Sequence, residues 1–367
     1  MQGPRPVQQD EFPSLRILLN NALRSGGAGD MYDLFPTFLV PENRDNLLVY
    51  ADGGQVVSHV GMTLRWASVG GCTAGVASIG AVATDPAYRG KGLATELMHT
   101  AMAQAHAWGA DFMLISGGRG LYRRLGAADV GVDSSVSLDA GGAKALSGDI
   151  ALAPYQENDL DACIALYERR QAYYRRPREE WETLMEARVC MCELFDAHVV
   201  RIKGTPCAYY VVSCDGELRN LRVMEFAGDG SAVAAGLGAL VEAYQAKTVE
   251  MHVQAEDAAL ATLLRGAGAK SEPTPAMGTC LLLDAARLIE RVRPYLEVRA
   301  GSGPAQDLSV VQDGAAYVFS CMGQSIACED AMAAAELIFG NPERDRRTGV
   351  FTRLFPLPAL WYGLSYV

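Results

Sequence analysis

Between Gly75 and Val130 an apolar run, a glycine-rich turn and a helix-like segment follow one another in an order that makes an anion site. The run is Gly75-Val76-Ala77-Ser78-Ile79-Gly80-Ala81-Val82-Ala83-Thr84, and it breaks at Asp85-Pro86. Tyr88-Arg89-Gly90-Lys91-Gly92-Leu93-Ala94 comes next, and Thr95 to Trp108 reads as a helix. Backbone N–H groups in such a turn converge on one point, and the helix N-terminus adds partial positive charge. Gly90 and Gly92 permit the φ values and close approach that the turn needs. Arg89 and Lys91 add charge suited to a pyrophosphate. The turn is no P-loop, since a Gly-Lys-Ser/Thr ending is missing, and the dinucleotide fingerprint Gly-x-Gly-x-x-Gly cannot be laid on it. The plain alternative is an ordinary strand–turn–helix with no ligand.

Other elements must hold this site in place. Phe12, Leu15, Leu18, Leu19 and Leu23 recur at helical spacing from Asp10 to Arg24, with Gly26-Gly27 as the stop. Met31 to Val40 reads as a second, aromatic-rich helical piece. Leu47 to Tyr50 and Val56 to Thr63 alternate as strands around Asp52-Gly53-Gly54, and Leu64 to Trp66 extends the second of them. For a first strand only Arg5-Pro6-Val7 is at hand, and its proline confines it to an edge. After the helix, Phe112-Met113-Leu114-Ile115-Ser116 is a further strand, leading into Gly117-Gly118-Arg119-Gly120-Leu121-Tyr122-Arg123-Arg124-Leu125-Gly126.

The chain is 367 residues long, half of them hydrophobic, enough for two or three cores. Forty-three acidic against 32 basic residues leave a net charge of −11. Such a chain is a poor match for nucleic acid and attracts cations. Nine scattered cysteines without a C-x-x-C pair read as reduced core thiols. Cys190 and Cys192, near His198, make a poor metal pair, so no metal is expected. No apolar run is long enough for a signal sequence or a bilayer span, and the protein is expected to be cytoplasmic and off the membrane. Arg169-Arg170 and Tyr173-Tyr174-Arg175-Arg176 mix cations with aromatics, and in this acidic chain they read as a solvated or subunit-contacting helix end.

Ala140 to Ala143 and Ser147-Gly148 read as a small-residue link. Beyond it, Leu160 to Gln171 and Glu179 to Glu186 are expected helices. His198 to Lys203, Pro206 to Cys214 and Leu218 to Phe226 are expected strands. This second unit reads as a decayed copy of the first. Leu263-Leu264-Arg265-Gly266-Ala267-Gly268-Ala269 lies under Leu121 to Ala127, and Val82 stands as far before Gly126 as Met224 before Gly268. In that register Ser231 replaces Arg89, Ala234 replaces Gly92 and Leu264 replaces Tyr122, which predicts a single active site. In the last part Arg287 to Tyr295 and Cys328 to Phe339 read as helices, with a hairpin around Asp313-Gly314. The apolar tail from Phe351 to Val367 must pack against something.

Arg89-x-x-Gly92-x-Ala94 after Val82-Ala83-x-x-Pro86, with Tyr122 before Leu125-Gly126, resembles the acyl-CoA loop and tyrosine of the Gcn5-related N-acetyltransferases (GNAT). The three-part order is similar to the enhanced-intracellular-survival (Eis) family. The resemblance implies an α/β (α+β) chain: a catalytic GNAT domain over 1–139, a degenerate GNAT-like domain over 148–284, and a small sterol-carrier-like α/β domain over 285–367. It implies acetyl-CoA as donor, a primary amine on a small molecule or peptide as acceptor, and a homo-oligomer. A cationic acceptor rests on the acidic surface alone.

In that reading Val82, Ala83 and Thr84 offer backbone groups to the pantetheine arm, with Val82 or Ala83 N–H as oxyanion donor. Arg89, Gly90, Lys91, Gly92, Leu93 and Ala94 hold the pyrophosphate. Tyr122, a phenol protonated at neutral pH, is the candidate acid for the leaving thiolate. Ser116 is a candidate to bind water or substrate. The base is less direct, because Val76 to Thr84 contains no carboxylate. The Eis resemblance implies that the terminal carboxylate, here on Val367, reaches the site. The alternative is a tail that merely staples the last domain, with His59 and Asp85 as lesser candidates for the base. A different class of function, a non-catalytic acyl-CoA or lipid-binding protein, would keep the same loop.

Overall fold

Gly53-Gly54 and Gly70-Gly71 both take φ of 58° and 80°, left-handed values that glycine adopts without penalty, and they close two tight hairpins. In the computed structural model, which describes residues 1–24, 29–118, 120–276 and 278–367, these hairpins join strands of the first sheet. The elements of this part are β1 (Gln2–Pro6), α1 (Phe12–Leu23), α2 (Met31–Leu34), β2 (Leu47–Asp52), β3 (Gln55–Val69), β4 (Cys72–Thr84), α3 (Leu93–Trp108), β5 (Phe112–Ile115) and α4 (Gly120–Arg124). β1 starts earlier than Arg5 and is an edge strand on β2, where its prolines break no interior ladder. The helical piece expected from Met31 to Val40 stops at Leu34. Phe35, Phe38 and Leu39 bury themselves from turns instead. Gly26-Gly27 and Arg119 lie outside the described residues.

The second part comprises β6 (Asp133–Asp139), α5 (Ala140–Ala145), β7 (Ala151–Pro154), α6 (Leu160–Tyr167), β8 (Ala172–Tyr174), α7 (Arg178–Ala187), β9 (Val189–Cys190), β10 (Glu193–Leu194), β11 (Asp196–Ile202), β12 (Thr205–Asp215), β13 (Asn220–Gly228), α8 (Gly230–Tyr244), β14 (Thr248–Val253), α9 (Ala258–Gly266), β15 (Lys270–Thr274) and β16 (Thr279–Leu282). The stretch read as a link folds as α5. Asp139 caps it by accepting from Gly142 N at 2.8 Å, and glycines at 142 and 238 let it pack closely.

The two large sheets exchange strands. The first runs β1-β2-β3-β4-β5-β16, with β8 paired to β3; the second runs β15-β6-β14-β13-β12-β11-β7. β4 and β5 pair in parallel from Val76↔Phe112 to Ile79↔Ile115, and β13 and β14 from Asn220↔Thr248 to Val223↔Met251. The ends of α4 and α9 also match. Ala127 N donates to Tyr122 O and Ala269 N to Leu264 O, both at 3.0 Å, and Gly126 and Gly268 follow at φ 95° and 86°. The two units thus share a parallel strand pair and the same helix ending.

The last part holds α10 (Ala285–Ala300), α11 (Ser302–Asp307), β17 (Ser309–Asp313), β18 (Ala316–Cys321), β19 (Gln324–Cys328), α12 (Ala331–Phe339) and α13 (Phe351–Leu354). Cys328 ends β19 rather than starting the helix that its sequence suggests, and Asp330 caps α12. The tail then leaves this part altogether. Leu364 packs in the core beneath β11 to β13, and Val367 packs with Phe38 and Ala83 of the first unit.

Candidate functional site

β4 and β5 stop pairing at Ile79↔Ile115, and the next residues of β4 are distorted. Its register to β3 jumps from Gly61↔Gly80 to His59↔Ala83, so Ala81 and Val82 stand against Val60 alone. Ala81 takes φ 51°, a left-handed value that costs a non-glycine residue about 1 kcal/mol. Buried His59 holds the bulge by donating from Nδ1 to the Ala81 carbonyl at 2.7 Å. Burial pushes the imidazole down to about 4, so it is neutral near pH 7. The bulge and the parting of the strands together open a gap in the sheet beside Val82.

The turn after β4 is arranged for φ rather than for space. Gly90 and Gly92 take φ 75° and 81°, and an added Cβ at either would meet nothing within 4 Å. Gly92 is the N-cap of α3 and brings no side-chain acceptor. Thr95 and Glu96 donate to its carbonyl at 2.9 and 3.1 Å, and the first N–H groups of the helix, on Leu93 and Ala94, have no acceptor in the turn above them. A cleft of about 680 Å³ runs past Val82, Ala83, Thr84, Arg89, Gly90, Gly92, Leu93 and Ala94 to Leu121, Tyr122 and Arg124. Lys91 is not in its wall; its ammonium lies 4.4 Å from the Tyr88 ring centroid. Arg124, not singled out from the sequence, is the second cation of the cleft with Arg89. Its signal was its place one turn past a second glycine run.

A second cavity, about 220 Å³, lies on the other side of Tyr122, which borders both spaces. Its walls include Phe35, Gly80, Val82, Ser116, Cys192 and Val367. Val367 is buried, and a Cβ built on Gly80 would sit 2.3 Å from its carboxyl carbon and 2.8 Å from its oxygen. The last residue therefore lies against the bulged strand. Tyr366 stacks on Phe35 at 6.2 Å; burial raises its phenol, an effect partly offset by a hydrogen bond from Ser116. Ser116 thus bonds the tail. His59 and Asp85 have structural partners, Asp85 accepting from Ala87 N at 2.8 Å.

Among the described residues the second unit has no such open turn at the start of its helix, for a reason different from the expected one. Ser231 and Ala234 do not stand where Arg89 and Gly92 do; the connection after β13 is shorter, and both residues lie inside α8. The cap there is Asp229, whose carboxylate accepts from Ser231 N and Ala232 N at 2.9 and 3.1 Å. Those N–H groups are taken by a charge that repels phosphate. Leu264, in α9, stands where Tyr122 does and is buried.

The basic and aromatic stretch from Arg169 to Arg176 is not a solvated end. Tyr174 is buried on β8, Arg170 pairs with Asp257 at 2.8 Å, and Arg176 is fully buried against Glu225. The rings of Tyr167 and Trp181, from outside the stretch, lie 4.2 and 4.6 Å from the Arg176 guanidinium. Among the described residues no group of three or more His, Cys, Asp or Glu is placed to hold a metal ion. No described helix is long and apolar enough to cross a membrane.

Residues 4–129 match the family model described as an acetyltransferase (GNAT) domain. A probable N-acyltransferase from Enterococcus faecalis, described as a conserved protein of unknown function, is similar over 97% of this chain and 98% of its own, at 13% identity and a TM-score of 0.71. Eis1 from Mycobacterium abscessus is similar over 96% of both chains, at 16% identity and a TM-score of 0.64. A GCN5-related N-acetyltransferase from Anabaena variabilis covers 91% of this chain and 89% of its own, at 16% identity and a TM-score of 0.66. At such identities these likenesses speak to the fold alone. No curated protein sequence matches the chain significantly.

Proposed function

We propose that this chain, whose residues 4–129 match the model of a GNAT acetyltransferase domain, is an N-acetyltransferase that transfers acetyl from acetyl-CoA to a primary amine by direct attack in a ternary complex. The acceptor we propose is a cationic small molecule or peptide, drawn by the net charge of −11. The observation that carries the reading is that Tyr122 borders two spaces, one lined by an anion-binding turn and the other by a carboxylate.

In this reading the pyrophosphate rests on the N–H groups at the start of α3, flanked by Arg89 and Arg124. The pantetheine arm runs along Val82 to Thr84 as an added strand edge in the gap between β4 and β5. The amine enters from the 220 Å³ cavity. The carboxylate of Val367 accepts a proton from the ammonium, since a charged amine has no lone pair to attack with. The freed nitrogen attacks the thioester carbon, and the N–H of Val82, outside the β3 ladder, steadies the developing oxyanion. As the C–S bond breaks, Tyr122 gives its proton to the thiolate, and the second proton of the attacking nitrogen, lost as the amide forms, restores the phenol. Remote contacts to the nucleotide fix the position of the reacting carbon.

The test is incubation of the purified protein with acetyl-CoA and a panel of spermidine, kanamycin and a lysyl peptide, read by mass spectrometry for acetylated product. Acetylation of at least one amine is expected. Coenzyme A binding by calorimetry with no product from any of them would instead favour the non-catalytic acyl-CoA-binding protein.

A further inference from the structure

The second copy has a gap of its own where its parallel strands part, and the chain's tail fills it. β13 and β14 stop pairing at Val223↔Met251, as β4 and β5 stop at Ile79↔Ile115. The residue after the last rung is Met224 in one copy and Gly80 in the other. Both touch the tail: the Met224 carbonyl accepts from Trp361 Nε1 at 2.8 Å, and Gly80 lies on the carboxyl of Val367. β13 is also bulged here, its register to β12 jumping from Val212↔Val223 to Val211↔Glu225. The bulge turns Glu225 into the interior.

There Glu225 holds the tail, Arg176 and Tyr209. Its Oε2 accepts from Leu364 N at 2.9 Å and from Arg176 at 2.5 Å, and its Oε1 accepts from Arg176 at 3.0 Å and from Tyr209 OH at 2.7 Å. Arg176 in turn donates from Nε to Ser365 Oγ at 2.7 Å. Gly363 takes φ 49°, and a Cβ on it would sit 2.0 Å from Glu225 Oε2, so the main chain is seated on the carboxylate. Cys190 closes the other side by donating to the Gly363 carbonyl at 3.2 Å. A buried ion pair such as this one is weak evidence for stability as such, because desolvation cancels much of its attraction. Its hydrogen bonds do fix one geometry for whatever they hold.

We propose that the gap between β13 and β14 is a socket for the chain's own tail, in which Glu225 and Arg176 are positioning residues that set Val367 against Gly80. Only Tyr366 separates the clamped Ser365 from Val367, so the clamp limits where the carboxylate can swing. The consequence for turnover rests on the reading of Val367 as the base; the socket itself does not.

Carboxypeptidase trimming separates the two. Wild-type protein, Glu225→Gln and Gly363→Ala are digested in the folded state, and valine release is timed while coenzyme A binding is followed by calorimetry. The first variant removes the charge that Leu364 N and Arg176 share. The second, made in the tail rather than in the core, forces a methyl into Glu225 and needs no core to refold around it. Both should release Val367 at least about tenfold faster, the order expected from losing a charged hydrogen bond, while coenzyme A affinity is unchanged. Valine release at the wild-type rate from both would overturn the socket, whatever the base is. A freed tail with acetylation intact would leave the socket standing and sink Val367 as the base.

Discussion

Replacing Gly80 by alanine tests the approach of the carboxylate to the sheet with a single methyl group. The Cβ would lie 2.3 Å from the carboxyl carbon of Val367 and 3.3 Å from Phe38 Cε1. Carbon atoms rest at about 3.5 to 4.0 Å, so the overlap with the carboxyl exceeds about 1 Å. β4 yields little here, because Gly80 is paired to Gly61 of β3 and follows Ile79, the last rung held on both edges. The terminal residue has to move by about the overlap. A misplacement of 1 Å in a group that takes part in the chemistry can cost about 10²-fold in rate, near 3 kcal/mol of barrier. The same overpacking should lower stability by about 1–3 kcal/mol. The assay is turnover and KM for acetyl-CoA at saturating amine, with calorimetric coenzyme A binding and a urea melt alongside. The expected pattern is a lower kcat with the coenzyme A Kd held, since no cleft cation or turn is touched. Turnover within about threefold of wild type, well short of the cost of a 1 Å displacement, would refute the argument that the carboxylate acts from this position.

Other outcomes follow from the same geometry. Tyr122→Phe should cut turnover by about 10² to 10⁴-fold, the span of a lost general acid, with coenzyme A affinity retained in calorimetry. Arg89→Ala and Arg124→Ala should each weaken coenzyme A binding by about fivefold, and a titration in high salt should shrink the difference from wild type, as for any exposed charge contact with phosphate. Acid should destabilise the fold through His59. Its folded value near 4 lies below the usual 6.5, so the unfolded chain binds more protons between those limits and stability is lost as pH falls through that window, by about 3 kcal/mol in all. Urea midpoints at pH 7 and pH 4.5 should therefore converge in His59→Gln, whose amide can still donate to the Ala81 carbonyl.

The site was legible wherever chemistry and local conformation coincide. Gly90 and Gly92 announced left-handed turns, and both have them; the end of β5 and the helix carrying Tyr122 follow from an apolar run and a glycine stop. What could not be read is set by contacts distant in sequence. Arg176 looks like a surface cation because nothing near it in the chain shows that Glu225, Tyr167 and Trp181 will surround it. The exchange of β6 and β16 between sheets is invisible for the same reason, since an apolar strand fits either neighbour. The register of the second copy slipped because the α4 and α9 ends align while the turn before α8 is shorter, and Ala/Gly-rich helix sequence carries no marker of where it begins.

The comparison of the two turns also shows why one copy is well capped and the other is not. Asp229 is a good N-cap, preferred over most residues and able to satisfy two helix N–H groups at once. An aspartate at position 92 would serve α3 just as well, yet it would occupy the N–H groups and repel the anion they are left to meet. The first copy instead carries an uncapped Gly92, a left-handed Ala81 and a buried imidazole with its Nε2 unpaired. Each is a local cost that a merely structural domain would have no reason to bear. The second copy is relieved of the first cost and keeps a bulge at Met224, the place where it meets the tail. In each unit a bulge therefore lies beside the contact with the tail.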